Sequence, residues 1–550
     1  MNNTKIISKN IQSNTFYLVL ITVIWLIVYI ICQLLFEQKL GWDEVSYLTA
    51  ARGIAEDFDF SSRTTTVMGL IKYAFPQHTH HYPLLSIYYA IFFKLFGVSL
   101  KVAYFATWFS GLITCIFVFL ILLIMLEDNK FLSFILAISF LFLPRIINQC
   151  DSAMMEIPGC ALISLLTFFV FRDLLKGKLN PVLLAIAAMW LYFYKSLFLG
   201  IIVGFLALIL ITYSSSLIYL NFLIYIGGIT ILYFIFTKFV FLPLAPMMNF
   251  HTRQEGLEGP YADFAGGFFS DVFGNIKINL IDFYNKVICR YFPINFIIHP
   301  EQEKFYTFSP DWHELGIYLL VFFYVVIFSI FLWSKLKSLQ KAFILFTVTS
   351  ITAFNIIFIL ISTASINLLC RYNLIYLPLL LISFGIILYE NLEILKPFVL
   401  KYGKASYYLI LSFLSILYIP YYISSSILKI RTNDVYHNFA HLNSEIVKNI
   451  VGNSSPKFIY FNTGTHTTWD LYPTRVILME ATNEQIKKLN LKLPTPIEYL
   501  FLNFNDNLFK INKDLILKGL PIIDNYYTLH RVDPENHIVV YRFRGSSNDK

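Results

Sequence analysis

The sequence predicts a polytopic α-helical membrane protein of about eleven spans. A long first outer loop contains interfacial helices, and a small C-terminal α/β soluble domain lies on the outer side. Two observations carry this reading. The 550-residue chain is 57% hydrophobic and 18% aromatic but only 14% charged, where a soluble chain holds about a quarter charged residues. Apolar runs of roughly 17–25 residues, the length a bilayer requires, recur up to about residue 428 and then stop. The net charge of +8 points to no nucleic-acid partner, because Lys and Arg are spread among loops and not gathered on one face. Six cysteines, without a CxxC spacing, give neither a disulfide nor a zinc framework.

The first run, "FYLVLITVIWLIVYIICQLLF" (Phe16 to Phe36), follows Lys5 and Lys9. It is longer than a signal-peptide core and no small-residue cleavage site follows, so it is an uncleaved first span with its N-terminus inside. Further spans are expected near 99–126, 131–147, 156–172, 217–243, 316–334, 341–363, 370–390 and 405–428. "PLLSIYYAIFFKLFG" (Pro83 to Gly97) is too short and is interrupted by Lys94, which makes it interfacial. The stretch 181–213 is too long for one ordinary span and holds Lys195 in its middle, so it divides into two short helices meeting near that lysine.

The positive-inside rule supports the division. With it, the inside loops carry Arg172, Lys176 and Lys178, then Lys335, Lys337 and Lys341, then Lys396, Lys401 and Lys404. A single span there would put two of those clusters outside. Residues 1–428 then form the transmembrane domain, with outer loops at about 37–98 and 244–315. Residues 429–550 form an extracytoplasmic domain. Its strands are expected at "KFIYFN", "RVILME", "EYLFLNF" and "HIVVYRFR", with a helix at "NEQIKKLN".

The unusual ionisable residues fall on the outer side of this topology. Asp43 and Glu44 follow the first span, Asp151 and Glu156 bracket a short loop, and Arg145, Lys195 and Arg371 sit at outer span ends, Arg371 beside Tyr372. Ionisable groups at membrane depth are costly and mark a functional site by default. Each has an ordinary reading as well. Asp43 can cap a helix, Asp151 and Glu156 can be loop-end charges, and Lys195 and Arg371 can snorkel to lipid phosphates. Independent snorkelling would populate both faces, however, whereas these residues share one. A carboxylate there can act as general base on an acceptor hydroxyl, and cations can stabilise charge on a leaving phosphate. His78, His80 and His81 lie in "PQHTHHYPLL" without a carboxylate at ligand spacing. They suit a phosphate or substrate contact better than a metal.

"GWDEVSYLTAARGIAED" followed by "HYPLLSIYYAIFFKLFG" resembles the C-type glycosyltransferase superfamily. Within it, the two stretches are similar to those of bacterial aminoarabinose-to-lipid-A transferases and protein O-mannosyltransferases. The matching positions are Asp43, Glu44, Tyr47, Ala51 and Arg52, then His81, Pro83 and Leu84, then Leu95, Phe96 and Gly97. Tyr82 departs from the pattern where the family often has a first proline. "YFYKSLFLG" and "CRYNLIYLPLLL" are similar to two further family segments and bring in Lys195, Arg371 and Tyr372. The resemblance implies an inverting transferase of the plasma (inner) membrane with an outward-facing active site. It would move a sugar from a polyprenyl-phosphate donor to lipid A, another envelope glycan or a protein. Asp43 and Asp151 would be catalytic. Glu44, Tyr47, Arg52, His81, Arg145, Lys195, Arg371 and Tyr372 would bind substrate, and the 244–315 loop with His251 and Arg253 would close over it. Some relatives need a divalent metal ion and others do not. Two alternatives stand beside this reading: an oligosaccharide ligase or oligosaccharyltransferase, and a lipid or sugar transporter.

Overall fold

The computed structural model describes residues 2–35, 42–58, 64–66, 84–150, 152–177, 179–194, 198–213, 215–235, 310–361, 373–402, 447–452, 456–461, 474–478, 490, 495–503, 526–533 and 538–544. The chain forms two compact units. One comprises 1–38, 104–235 and 263–431, and the other 39–103, 236–262 and 432–550. The expected span at 405–428, the 244–309 part of the second outer loop and the "NEQIKKLN" helix up to Leu489 lie outside the described residues.

The first unit is helical. It begins with α1 (Asn2–Leu35) and continues, after residues belonging to the second unit, through most of a helix at Leu100–Met125. In α1, Ile21, Trp25, Val28 and Cys32 are buried at spacings of three and four, which is one helix face. Val19, Val23, Ile27, Ile30 and Leu34 are exposed on the rest, as a lipid-facing surface requires. The Trp25 indole N–H donates to the Trp108 carbonyl at 2.8 Å, so the one polar atom of that side chain is satisfied inside the bundle. Among the described residues six helices are long and apolar enough to cross a membrane: 14–34, 100–125, 156–175, 217–235, 338–357 and 374–392. The protein is an integral membrane protein.

The expected span at 131–147 is interrupted. Helix Lys130–Ser139, with Asn129 accepting at its N-terminus from the Leu132 amide at 3.2 Å, ends in tight turns over Phe140–Leu143. A second short helix, Pro144–Cys150, follows. Pro144 explains the break. It disfavours helical geometry in the residue before it, and it suits the first position of a new helix, where its missing N–H costs nothing. The 181–213 stretch does divide in two, into Pro181–Tyr194 and Leu199–Thr212 of 14 residues each. The remaining helices of this unit are Glu156–Leu175, Ser215–Ile235, Pro310–Leu332, Ser338–Ile361 and, after a 3-10 turn at Leu374–Tyr376, Leu377–Tyr402.

Numbered in chain order with the second unit's α2 (Trp42–Asp57) and α3 (Leu84–Phe96), these are α4 (100–125), α5 (130–139), α6 (144–150), α7 (156–175), α8 (181–194), α9 (199–212), α10 (215–235), α11 (310–332), α12 (338–361) and α13 (377–402). Hydrogen bonds and ion pairs join several helix ends. At one end, buried Gln340 of α12 donates to the Met125 carbonyl at 3.0 Å and to Glu390 of α13 at 3.2 Å, and accepts from the Lys337 amide at 2.8 Å. Lys337 also pairs with Glu127, and the Tyr213 hydroxyl donates to the Leu179 carbonyl. All these segments are ones the sequence assigns to the inside. Gln340→Leu is expected to lower the stability of the solubilised protein by about 1–3 kcal/mol, because it strands buried backbone partners. Thermal unfolding in detergent measures this.

In the second unit, α2 and α3 pack together. Leu85, Tyr89 and Phe93 form one buried stripe of α3, while Ile91, Leu95 and Phe96 are exposed. Gly97, at φ +89°, donates to the Phe93 carbonyl at 2.9 Å and stops α3 with the left-handed turn glycine favours. A six-stranded sheet fills the rest, formed by β1 (Thr64–Thr66), β2 (Phe458–Phe461), β3 (Arg475–Leu478), β4 (Tyr499–Asn503), β5 (Tyr527–Asp533) and β6 (Ile538–Phe543). The order is β1-β3-β2-β4-β6-β5. The first four strands run parallel and the last two pairings are antiparallel.

The four strands expected from the sequence are β2, β3, β4 and β6; β1 and β5 are additions. β4 is buried on both faces, as a parallel interior strand must be. Val447, Ile450, Ile459, Tyr499, Phe501 and Val540 make a core on one of them. The buried Tyr527 hydroxyl donates to the Ile497 carbonyl at 2.9 Å and accepts from the Asn490 amide at 2.8 Å. Burial raises its pKa above the ordinary tyrosine value. The neutral form is therefore favoured in the fold, so this contribution is complete at neutral pH. It is lost as pH rises through about 10, where an unfolded tyrosine ionises and the folded one does not. Tyr527→Phe is expected to cost about 1 kcal/mol and to reduce that alkaline loss, as read by thermal melts of the full chain between pH 7 and 11.

Candidate functional site

Within the helical unit, the flanks of three segments that carry candidate residues come together at the start of α7. The Tyr194 hydroxyl, at the last residue of α8, donates to the Met155 carbonyl at 2.7 Å. The Cys160 thiol, one turn into α7, approaches the Leu374 carbonyl at 3.3 Å. Gly159 lies between these contacts, where a Cβ would meet Phe198 at 3.3 Å, Tyr194 at 3.5 Å and Ile375 at 3.7 Å. The three side chains thus close around one turn of α7. The chain next to Asp151, the chain on both sides of Lys195 and the chain just after Arg371–Tyr372 are thus held against one another.

Polar and aromatic contacts fix the same level of the bundle. Asn355 of α12 and Asn373 exchange two side-chain hydrogen bonds of 3.1 and 2.9 Å. Phe354 stacks on Tyr376 with ring centroids 5.0 Å apart. Gly200 and Gly204 of α9 lie against α12. A Cβ on Gly200 would clash with the Ser350 carbonyl and lie 2.7 Å from the Tyr376 hydroxyl, and one on Gly204 would clash with the Ser350 hydroxyl. This small-xxx-small spacing is how membrane helices bring their backbones together. These segments are ones the sequence assigns to the outside, and the helices α12 and α13 carry the Gln340 cluster at their other end.

Glu156 opens α7 and is fully buried, which departs from the ordinary reading of it as a solvated loop-end charge. A carboxylate in a first helical turn is favoured by the helix dipole. The sequence had placed it only as a bracket of the loop. Its burial, the Tyr194 bond and the Asn355–Asn373 pair depend on packing between distant segments. Arg145 is half-buried in the first turn of α6.

In the second unit, α2 carries the first-loop candidates. Asp43 is its second residue, two positions beyond the N-cap position, and its side chain lies outside the described residues. Glu44 and Tyr47 are buried at 2% and 1% exposure, on one face at a spacing of three. Arg52 pairs with Glu56 one turn on, its Nε 3.2 Å from the carboxylate. Lys94 of α3 donates to the Ala55 carbonyl at 3.3 Å, which satisfies one of the terminal acceptors of α2. The lysine that breaks the apolar pattern of α3 is therefore a helix-end partner.

His78, His80 and His81, Asp151, Lys195, Arg371 and Tyr372 lie outside the described residues, as do His251 and Arg253. Among the described residues no three His, Cys, Asp or Glu side chains group as a metal site. Cys32, Cys115, Cys150 and Cys160 are buried free thiols.

No family model matches the chain, and no curated protein does. Two solved structures are similar to it: ArnT from Cupriavidus metallidurans bound to undecaprenyl phosphate, and the same protein in the apo state. Both share 11% identity with the chain and cover 96% of it and 98% of their own length, at TM-scores of 0.42 and 0.45.

Proposed function

We propose that the protein is an inverting glycosyltransferase. It takes a sugar from a polyprenyl-phosphate donor at the extracytoplasmic face of the plasma (inner) membrane and passes it to lipid A, another envelope glycan or a protein. The observation that carries this reading is the convergence at Gly159. The segments next to Asp151, Lys195 and Arg371 are held against one another, which supports reading an acid and two cations scattered through the sequence as members of one site. In this reading Lys195 and Arg371 neutralise the departing lipid phosphate, whose charge grows as the glycosidic bond breaks. Asp43 takes the proton of the acceptor hydroxyl as it attacks the anomeric carbon from the opposite face, and Asp151 orients the acceptor. Glu44 and Tyr47, buried in α2, hold the helix that presents Asp43. Arg145, Tyr372 and His81 contact the substrates.

The donor's prenyl chain partitions into lipid, so its phosphate sits at the membrane surface, where these span ends are. The positive-inside pattern of the loops supports an outward-facing site. Mass spectrometry of envelope lipids, glycans and proteins from cells with and without the gene tests the reading. One molecule is expected to lose a single sugar mass in the deletion strain and regain it on complementation. An unchanged profile in every fraction would count against it.

A further inference from the structure

We propose that strand β1 is a positioning element for the transfer reaction, through which the C-terminal sheet serves as the fixed support of the first-loop helix that carries Asp43. This rests on the transferase reading given above. Thr64, Thr65 and Thr66, from the first outer loop, pair in parallel with Val476, Ile477 and Leu478 of the tail. The sheet is thus not built from the tail alone. Its edge strand comes from the loop between α2 and α3, and three consecutive β-branched residues suit that position.

The connection from β1 to α2 is short. Residues 58–63 separate Asp57, the last residue of α2, from Thr64, and a chain of that length reaches at most about 25 Å even when fully extended. The end of α2 to which it attaches is itself held, by the Arg52–Glu56 pair and by the Lys94 bond to the Ala55 carbonyl. Phe58 then turns the chain sharply, at φ 54°, a conformation a bulky residue adopts only where its surroundings impose it. On the other side, α3 passes through Gly97 and Ser99 directly into α4. The helix bearing Asp43 and Glu44 therefore belongs to a loop that is paired into the sheet of its own unit. An acid that must meet an acceptor hydroxyl at hydrogen-bond distance needs such support, because a misplacement of about 1 Å costs roughly 10²-fold in rate.

The test uses the full-length protein. In a Thr65→Cys/Ile477→Cys variant the two cysteines stand at paired positions, at the roughly 4.8 Å spacing of neighbouring strands, which a disulfide can bridge. Mild oxidation is expected to link them, and the linked protein is expected to keep transfer within about twofold of its reduced form, since the bond locks a pairing already present. A Thr64→Gly/Thr65→Pro/Thr66→Gly variant, which cannot enter a ladder, is expected to lose at least about tenfold in turnover. Its KM for the lipid donor and the thermal unfolding of its helical unit are expected to stay unchanged. Thr64→Val/Thr65→Val/Thr66→Val, which keeps the strand, is expected to retain wild-type turnover.

Absence of the disulfide in a folded protein would overturn the proposal, as would wild-type turnover in the Gly-Pro-Gly variant. Should that variant express poorly, amide exchange of residues 64–66 in the wild type decides the pairing: protection matching that of 476–478 supports it and free exchange refutes it. A double-cysteine variant that cross-links, beside a wild-type protein that transfers no sugar, would instead mark the failure of the transferase reading.

Discussion

Asn in place of Asp43 is expected to lower sugar transfer by about 10²- to 10⁴-fold, the range lost with a general base, while the protein is still expressed and melts as the wild type does. Asparagine is chosen because it separates the two roles an acid can have there. Asp and Asn cap a helix almost equally well, so a purely structural Asp43 would leave the variant near wild type. A proton acceptor, by contrast, is lost completely. The structure sharpens the contrast, because Asp43 is already the second residue of α2 and buried Glu44 and Tyr47 follow it. The measurement is the turnover of purified variant and wild type with one donor, beside their melting curves.

The second large effect belongs to α9. Gly200→Val and Gly204→Val are each expected to destabilise the helical unit by about 3 kcal/mol or more, at or beyond the usual cost of overpacking. The side chain at 200 would meet the Ser350 backbone carbonyl, which cannot move out of the way without disturbing α12. An internal control is available: Gly227 on α10 faces open space, and Gly227→Ala is expected to be neutral or slightly stabilising, as alanine favours helix. Detergent melts of the three variants check this. Loss of stability at 227 equal to that at 200 would show that helix composition, not the contact with Ser350, governs the result.

How much of this was legible beforehand follows from which signals are local. The division of 181–213 was visible because Lys195 interrupts an apolar run too long for one helix. The four interior and near-interior strands of the tail were visible as short β-branched and aromatic runs. Three things were not visible. The break before Pro144 was masked by continuous hydrophobicity across Phe140–Leu143, although the proline was its signal. β5 mixes His530 and Arg531 with apolar residues because it is an exposed edge, and so lacks a strand's burial pattern. β1 is three threonines whose partner is far along the chain, and no local pattern specifies a long-range pairing. For the site, the sequence named the ionisable residues. The contacts that hold their neighbours together, from Tyr194 to Met155 and from Cys160 to Leu374, arise only from packing.

The most direct test of the central claim is a transfer assay with the purified protein in detergent, supplied with short-chain polyprenyl-phosphate sugars and an envelope extract as acceptor. The account predicts that free polyprenyl phosphate appears together with a glycosylated acceptor of inverted anomeric configuration, and that the Asp43→Asn protein produces neither. Absence of product with every such donor from a folded wild-type protein, or equal product from wild type and variant, would contradict it.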